Sequence, residues 1–150
     1  METWQTLQHL SGLLRLETDS AAICEKTRES LVSPALRDLV ASLAEHHREH
    51  TATLRSLVER LGGTPPADAR ITPPLSEALS APNADLSEET RVAVCLKWEE
   101  HTAHAYEKAL AAHHPPNVRA VLHGHRAETA DHITALQSIL AAERRGGKAA

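Results

Sequence analysis

The sequence contains no phenylalanine, and two tryptophans and one tyrosine are its aromatic residues among 150 residues. Leucine and alanine must therefore build the core, which suits closely packed helices better than a sheet. Two cysteines, Cys24 and Cys95, are too few for a disulfide scaffold. In a reducing compartment we expect both to be free thiols.

Other absences narrow the class of protein. No run of apolar residues approaches the roughly 18 that a membrane span needs. The first residues, METWQTLQHL, lack the basic start and apolar stretch of a secretory signal. The net charge of −4 argues against a nucleic-acid binder, which needs a basic face. We therefore expect a cytoplasmic protein that binds neither nucleic acid nor membrane.

Proline and glycine divide the chain into four helical segments of one domain, residues 1–150. The sequence predicts helices at residues 3–31, 34–61, 87–112 and 116–145. Ser33-Pro34 is a typical helix start, and Gly62-Gly63 is a typical helix end. Residues 63–86 carry five of the eight prolines and read as a linker. Two tight hairpins joined by so long a linker predict an all-α, antiparallel four-helix bundle with a ferritin-like crossover between helices 2 and 3. A simple up-down-up-down order stays open.

Each predicted helix has an apolar stripe that is interrupted by acidic residues or histidines near its middle. On helix 4 the predicted inward positions are Val118, Val121, His125, Glu128, His132, Ala135 and Ile139. Across the four helices the interruptions are Glu17, His47, His50, Glu99, Glu128, His132 and His125. Counted from the turns at about 1.5 Å per residue, these side chains fall at similar depth in the bundle. Carboxylates buried together need a cation, a partner or a proton, so the pattern predicts a buried metal site.

Several alternatives remain open at this stage. A shift of one position in helix phase would turn Glu100, His101 and His104 inward instead of Glu99, or Glu45, His46 and Glu49 on helix 2. We expect His113 and His114, which precede Pro115-Pro116 in a turn, to be solvated. Tyr106 and Trp98 lie within two turns of Glu99, where core packing is the favoured interpretation and electron relay the alternative.

The arrangement resembles the ferritin-like superfamily, in whose di-metal members two helices each give one Glu and two each give Glu-x-x-His. The chain also looks like a small bacterial ferritin-like family of uncharacterised function. The motifs that carry this likeness are Ala44-Glu45-His46, Val58 through Pro65 (VERLGGTP), Tyr106 through Leu110 (YEKAL) and Asp131-His132-Ile133.

The resemblance implies a role for several residues. Glu17 and Glu99 would be the lone glutamates, and His47 and His50 would stand where helix 2 gives Glu-x-x-His. Glu128 would be the glutamate of helix 4, followed by Asp131 at the third position and His132 at the fourth. Histidine at the expected glutamate of helix 2 leaves open one metal ion instead of two, and zinc instead of iron.

The first hypothesis is therefore a ferritin-like metalloprotein with a non-haem di-iron or similar site, for O2- or peroxide-dependent oxidation, ferroxidase chemistry or metal handling. Iron is the favoured cofactor, with manganese and zinc as alternatives. The second hypothesis is a metal-free helical interaction module whose Glu–His core fixes the helix register. A homo-oligomer is expected under either. A haemerythrin-like carrier fits the histidine count but not the spacing, since helix 3 offers His101-x-x-His104.

Overall fold

The computed structural model describes residues 2–66 and 87–149. Four helices account for nearly all of them: α1 (Glu2–Ser30), α2 (Pro34–Arg60), α3 (Glu88–Leu110) and α4 (Pro116–Ala149). The predicted linker lies mostly in residues 67–86, outside the described residues. The last helix continues four residues beyond the predicted end at residue 145. None of these helices has the combined length and apolar character needed to cross a bilayer.

The ends of the helices have clear local causes. Pro34 occupies the first turn of α2, and the Ser87 side chain accepts a hydrogen bond from the Thr90 backbone N–H at the start of α3. At the end of α2, Gly62 has a φ of 81° and Gly63 donates to the Val58 carbonyl over 2.9 Å. This is a Schellman motif, and it requires glycine at residue 62 because a side chain is strained at that φ.

Contacts between helix ends define the order of the bundle. The Ser33 backbone N–H donates to Glu88 over 3.1 Å, so α3 begins beside the α1–α2 turn. Thr6 Oγ1 and His114 Nδ1 are 3.0 Å apart, which puts the α3–α4 turn beside the start of α1. The end of α2 also lies there, since a Cβ on Gly63 would meet Leu7 Cδ2 at 2.6 Å.

The segment that joins α2 to α3 therefore connects opposite ends of a bundle about 40 Å long. Two antiparallel hairpins with such a connection confirm the predicted ferritin-like four-helix bundle and exclude the up-down-up-down order.

The register predicted for α4 was wrong by one position over most of its length. The buried residues of its inner face are Val118, Leu122, His125, Thr129, His132, Leu136 and Leu140. Leucines at residues 122, 136 and 140 fill the core in place of Val121, Ala135 and Ile139, which are partly buried. Leu122 and Leu136 are larger than Val121 and Ala135, so their burial removes more apolar surface from water and favours this rotation of the helix.

Candidate metal centre

A polar layer crosses the middle of the bundle between two apolar clusters. One cluster, near the α1–α2 turn, includes Ile23, Leu36, Leu43, Val92 and Leu140. The other, near the α3–α4 turn, includes Leu10, Leu54, Val58, Val118 and Leu122. The layer between them, called the Glu–His layer below, contains Glu17, His46, His47, His50, Glu99, Tyr106, His125, Glu128 and His132. All seven residues of the predicted site lie in it.

His47 is the centre of the layer and joins two buried carboxylates. Its Nδ1 lies 2.6 Å from Glu17 Oε2, and its Nε2 hydrogen-bonds Glu99 Oε1 on the opposite edge of the ring. Glu17, His47 and Glu99 are 0%, 0% and 1% exposed. A single imidazole therefore stands between two carboxylates of different helices, out of contact with water.

Glu17 accepts two further hydrogen bonds at its other oxygen. His50 Nδ1 lies 3.2 Å from Oε1, and the Tyr106 hydroxyl donates to the same atom over 2.7 Å. His125 Nδ1 donates in turn to the Tyr106 oxygen over 3.0 Å, since the tyrosine proton is committed to Glu17. Side chains of α2 and α3 therefore hold the Glu17 carboxylate directly, and α4 supports it through Tyr106.

Glu99 connects the centre to the edge of the layer. Its Oε2 lies 3.4 Å from His132 Nδ1, and His132 Nε2 lies 2.7 Å from His46 Nδ1. His46 and His132 are also stacked, with ring centroids 4.9 Å apart. Through this path a chain of hydrogen bonds runs without a gap from partly exposed His46 to buried Glu17.

Glu128 lies on the rim of the layer because of the register of α4. Its side chain is 52% exposed, yet Oε2 lies 2.6 Å from His50 Nε2. The carboxylate thus reaches a buried imidazole from the surface of the bundle. Of the three predicted carboxylates, it is the one in contact with solvent.

Without a bound cation, the layer is stabilised by hydrogen bonds from protonated histidines to ionised glutamates. Burial by itself raises the pKa of Glu17, but the hydrogen bonds from His47 and His50 outweigh it and lower the pKa to about 2. Burial alone lowers the pKa of His47, and its bonds to Glu17 and Glu99 raise it to about 10. The same opposing causes lower the pKa of Glu99 and raise that of His50. His47 is therefore a buried imidazolium between two carboxylates.

His125 differs from the other histidines of the layer. Burial and the neighbouring His50 lower its pKa to about 4, so the ring is neutral at physiological pH. Its ring is stacked on His50, with centroids 3.9 Å apart and planes inclined by 19°. An imidazole binds a metal in the plane of its ring, so two stacked rings do not point at the same ion. His125 fits a positioning role through Tyr106 better than a ligand role beside His50.

The two cysteines form a pair directly beside the layer. Both are buried free thiols, and they hydrogen-bond each other. That bond raises the pKa of Cys24 and lowers the pKa of Cys95, to which Thr27 also donates. The Cys24 S–H therefore donates to the Cys95 sulfur in an otherwise apolar cluster.

Two groups of side chains have the spacing of metal ligands among the described residues. In one, single ligand atoms of Glu17, His47 and His50 all lie within 4.8 Å of one another. In the other, Cys24, His47 and Glu99 do so. Every member of both groups is buried, and His47 is the member that they share.

The structure decides the open questions of helix phase and places in the layer two residues that the sequence did not predict as ligands. Glu100, His101 and His104 are exposed, as are Glu45 and Glu49, so Glu99 and His47 keep the inward positions. His46 joins the layer through His132, and Tyr106 joins it through Glu17. The expectation of a solvated His114 was wrong. Its two ring nitrogens hydrogen-bond the Thr6 hydroxyl and the Ala109 carbonyl in a buried turn.

Comparisons with known proteins agree with this fold. A family described as a domain of unknown function, DUF2383, matches residues 5–112. A conserved hypothetical protein from Mycobacterium tuberculosis, Rv2844, is 18% identical with a TM-score of 0.79, covering 95% of this chain and 94% of that one. A protein from Anabaena variabilis with DJ-1/ThiJ/PfpI-like and ferritin-like domains is 15% identical, also with a TM-score of 0.79.

The match to the Anabaena protein covers 97% of this chain and 38% of that one. No curated protein matches the sequence. Identities this low show a shared fold alone, whereas the family match spans most of the sequence. The chain belongs to the DUF2383 family.

Proposed function

We propose that the Glu–His layer binds a divalent first-row transition metal and that this protein is a ferritin-like non-haem metalloprotein. The observation that carries the proposal is the convergence of Glu17, His47 and His50 in a fully buried group with ligand atoms within 4.8 Å of one another. Two helices contribute these donors, and a third holds Glu17 through Tyr106.

The donor set fits such an ion. Imidazole nitrogen and carboxylate oxygen suit Fe(II), Mn(II) and Zn(II). Ligands in a tetrahedral site lie about 3.4 Å apart for metal–ligand bonds near 2.1 Å, so a contraction of at most about 1.4 Å would close the group. A divalent cation would also replace the protons that His47 and His50 now supply to Glu17.

The same layer does not fit a carboxylate-bridged pair of ions in its usual form. His47 stands between Glu17 and Glu99, where that pattern places a bridging glutamate. We therefore assign the first ion to Glu17, His47 and His50, with Glu128 holding the opposite ring nitrogen of His50 by a hydrogen bond. His132 and His125 orient Glu99 and Tyr106.

If the ion is iron, it would supply one-electron chemistry toward O2 or peroxide, and iron is the ion we favour. The chain's own residues would exclude water with the two apolar clusters, orient Glu17 and hold a proton at the Tyr106 hydroxyl. Oxidation of a small substrate or sequestration of the metal is the corresponding activity.

The test is elemental analysis of protein made without a His-tag or metal column. We expect at least one iron, manganese or zinc ion per chain, and a fall in melting temperature after chelation. Glu17→Gln should lower the bound metal by one ion per chain, whereas Glu100→Gln, an exposed change of the same kind on α3, should leave it unchanged. The proposal would be overturned if protein offered each of these ions bound none of them and its melting temperature did not change on chelation.

A second function is favoured by one observation. Among the described residues, Asp19 Oδ1 is the one buried side-chain oxygen or nitrogen without a hydrogen-bond partner, so the layer is internally satisfied by protons alone. A polar core of this kind can specify register in a helical interaction module. The double substitution of Glu17 and Glu128 by Gln discriminates: a neutral or stabilising result with no metal in the parent supports the module.

A further inference from the structure

We propose a second, sulfur-containing metal position in the core, formed by Cys24, His47 and Glu99 and suited to Zn²⁺ or Co²⁺. The three side chains come from α1, α2 and α3, and one ligand atom of each lies within 4.8 Å of the others. Their exposures are 3%, 0% and 1%, so water does not compete for the position. Thiolate, imidazole and carboxylate together form a donor set typical of zinc.

His47 faces this position and the one assigned above with opposite edges of its ring. Glu17 contacts Nδ1, whereas Glu99 contacts Nε2. We therefore infer that Nε2 is the nitrogen directed at the Cys24 position. One ring can serve either ion alone, or both when it is fully deprotonated and bridges them.

The geometry distinguishes this arrangement from a carboxylate-bridged centre. Two ions on opposite nitrogens of one imidazole lie about 6 Å apart, given metal–nitrogen bonds near 2.0 Å. Two ions that share carboxylates lie about 3.5–4 Å apart. His47 thus replaces a short carboxylate bridge with a longer imidazole bridge. The two metal positions then have different ligands.

Cys95 supports the position without belonging to it. Its thiol hydrogen-bonds Cys24, but its sulfur is not part of the ligand group with His47 and Glu99. With Cys24 bound to an ion as a thiolate, the Cys95 S–H is placed to donate to that sulfur. The two cysteines lie in the same apolar cluster, so they are a matched pair for substitution.

The experiment is an anaerobic titration of reduced, metal-free, untagged protein with Co²⁺. Thiolate coordination gives a near-ultraviolet charge-transfer band that nitrogen and oxygen ligands do not give. We expect this band to saturate at one ion per chain, to be lost in Cys24→Ala and to persist in Cys95→Ala. Circular dichroism of each metal-free variant checks that both are folded.

A second measurement does not depend on the variants. X-ray absorption of the zinc-loaded wild-type protein should show one sulfur neighbour at about 2.3 Å. Absence of both the band and the sulfur neighbour, survival of the band in Cys24→Ala, or its loss in Cys95→Ala would overturn the assignment.

Failure here is separable from failure of the proposed function. Co²⁺ bound without a sulfur band would overturn the Cys24 position and leave the Glu17 position standing. A sulfur band that Glu17→Gln leaves unchanged, at one ion per chain in both proteins, would support the Cys24 position and count against the Glu17 position.

Discussion

The buried imidazolium at His47 makes the stability of the metal-free protein fall as the pH rises above neutrality. The folded pKa of His47 is raised from 6.5 to about 10 by its bonds to Glu17 and Glu99. A raised pKa contributes stability that is complete below the unfolded value of 6.5 and is lost as the pH climbs through the folded value. The protein therefore loses this stability between pH 6.5 and 10.

The size of the effect follows from proton counting. Across that window the folded state binds one more proton than the unfolded state, so the free energy of unfolding drops by about 1.4 kcal/mol per pH unit. The full window amounts to about 5 kcal/mol, at the upper end of the roughly 3–5 kcal/mol lost when a buried ion pair loses one partner. His50, whose pKa is also raised, adds to the loss in the same direction.

Two groups, Glu17 and His125, also make the metal-free protein less stable as the pH falls below 6.5. Glu17 has its pKa lowered from 4.5 to about 2, so its contribution is present above pH 4.5 and is lost as the pH falls toward 2. His125 has its pKa lowered to about 4, so protonation favours the unfolded chain as the pH falls from 6.5 to 4. The metal-free protein should be most stable near pH 6.5.

Urea unfolding of chelator-treated protein, followed by circular dichroism across this pH range, measures the curve. His47→Gln should flatten the alkaline decline, and the exposed His104→Gln should leave it unchanged. The metal-loaded protein should show the opposite trend above neutrality, because metal binding is favoured as its ligands lose protons. A metal-free curve that is flat between pH 6.5 and 10 would refute the buried imidazolium.

Three further substitutions, two of them with a matched control, test the layer and one helix end by urea unfolding. Glu99→Gln should destabilise the metal-free protein by about 3–5 kcal/mol, whereas the adjacent exposed Glu100→Gln should change it by less than about 0.5 kcal/mol; equal effects would contradict the buried ion pair. Tyr106→Phe removes the hydroxyl from a buried carboxylate and should cost about 1–3 kcal/mol, so a neutral result would contradict that bond. Gly63→Ala should destabilise by about 1 kcal/mol, since its Cβ would displace the Leu7 tip at 2.6 Å and lie 3.3 Å from the Val58 backbone oxygen. The mid-helix Gly124→Ala, with nothing within 4 Å of its Cβ, should stabilise by about 0.5–1 kcal/mol, and the reverse order of the two glycines would refute the packing argument.

The sequence was sufficient to predict the helices and their connection because local signals define both. Pro34, Ser87 and the pair Gly62-Gly63 act within one turn of the chain, so their effects do not depend on tertiary contacts. The long linker then leaves few ways to join two hairpins. For this reason the bundle was predictable from residues that never touch its centre.

The rotation of α4 was not predictable in the same way. Both stripes on this helix repeat every three or four residues, and they differ by one position over most of their length. Choosing between them requires the shape of the core formed by the other helices, which favours Leu122, Leu136 and Leu140. His125 and His132 belong to both stripes, so their inward placement was correct although the register was not.

The same ambiguity explains why His46 and Tyr106 were left out of the predicted ligand set. His46 lies one position before His47, which predicts an outward side chain. Its imidazole is nevertheless long enough to hydrogen-bond His132 across the α2–α4 interface. Tyr106 fits an apolar stripe, and its hydroxyl becomes significant once Glu17 is known to lie one helix away. In both cases the missing information was the distance between helices, which a single sequence does not contain.

Glu128 shows how an error of one position changes a functional interpretation. The predicted stripe would bury this carboxylate as the equal of Glu17 and Glu99, whereas the structure leaves half of it in water beside His50. A solvent-accessible carboxylate in contact with a buried imidazole can exchange its partner without exposing an uncompensated charge in the core. Two carboxylates of the layer are therefore locked in the core, whereas the third joins the buried His50 to solvent at the rim.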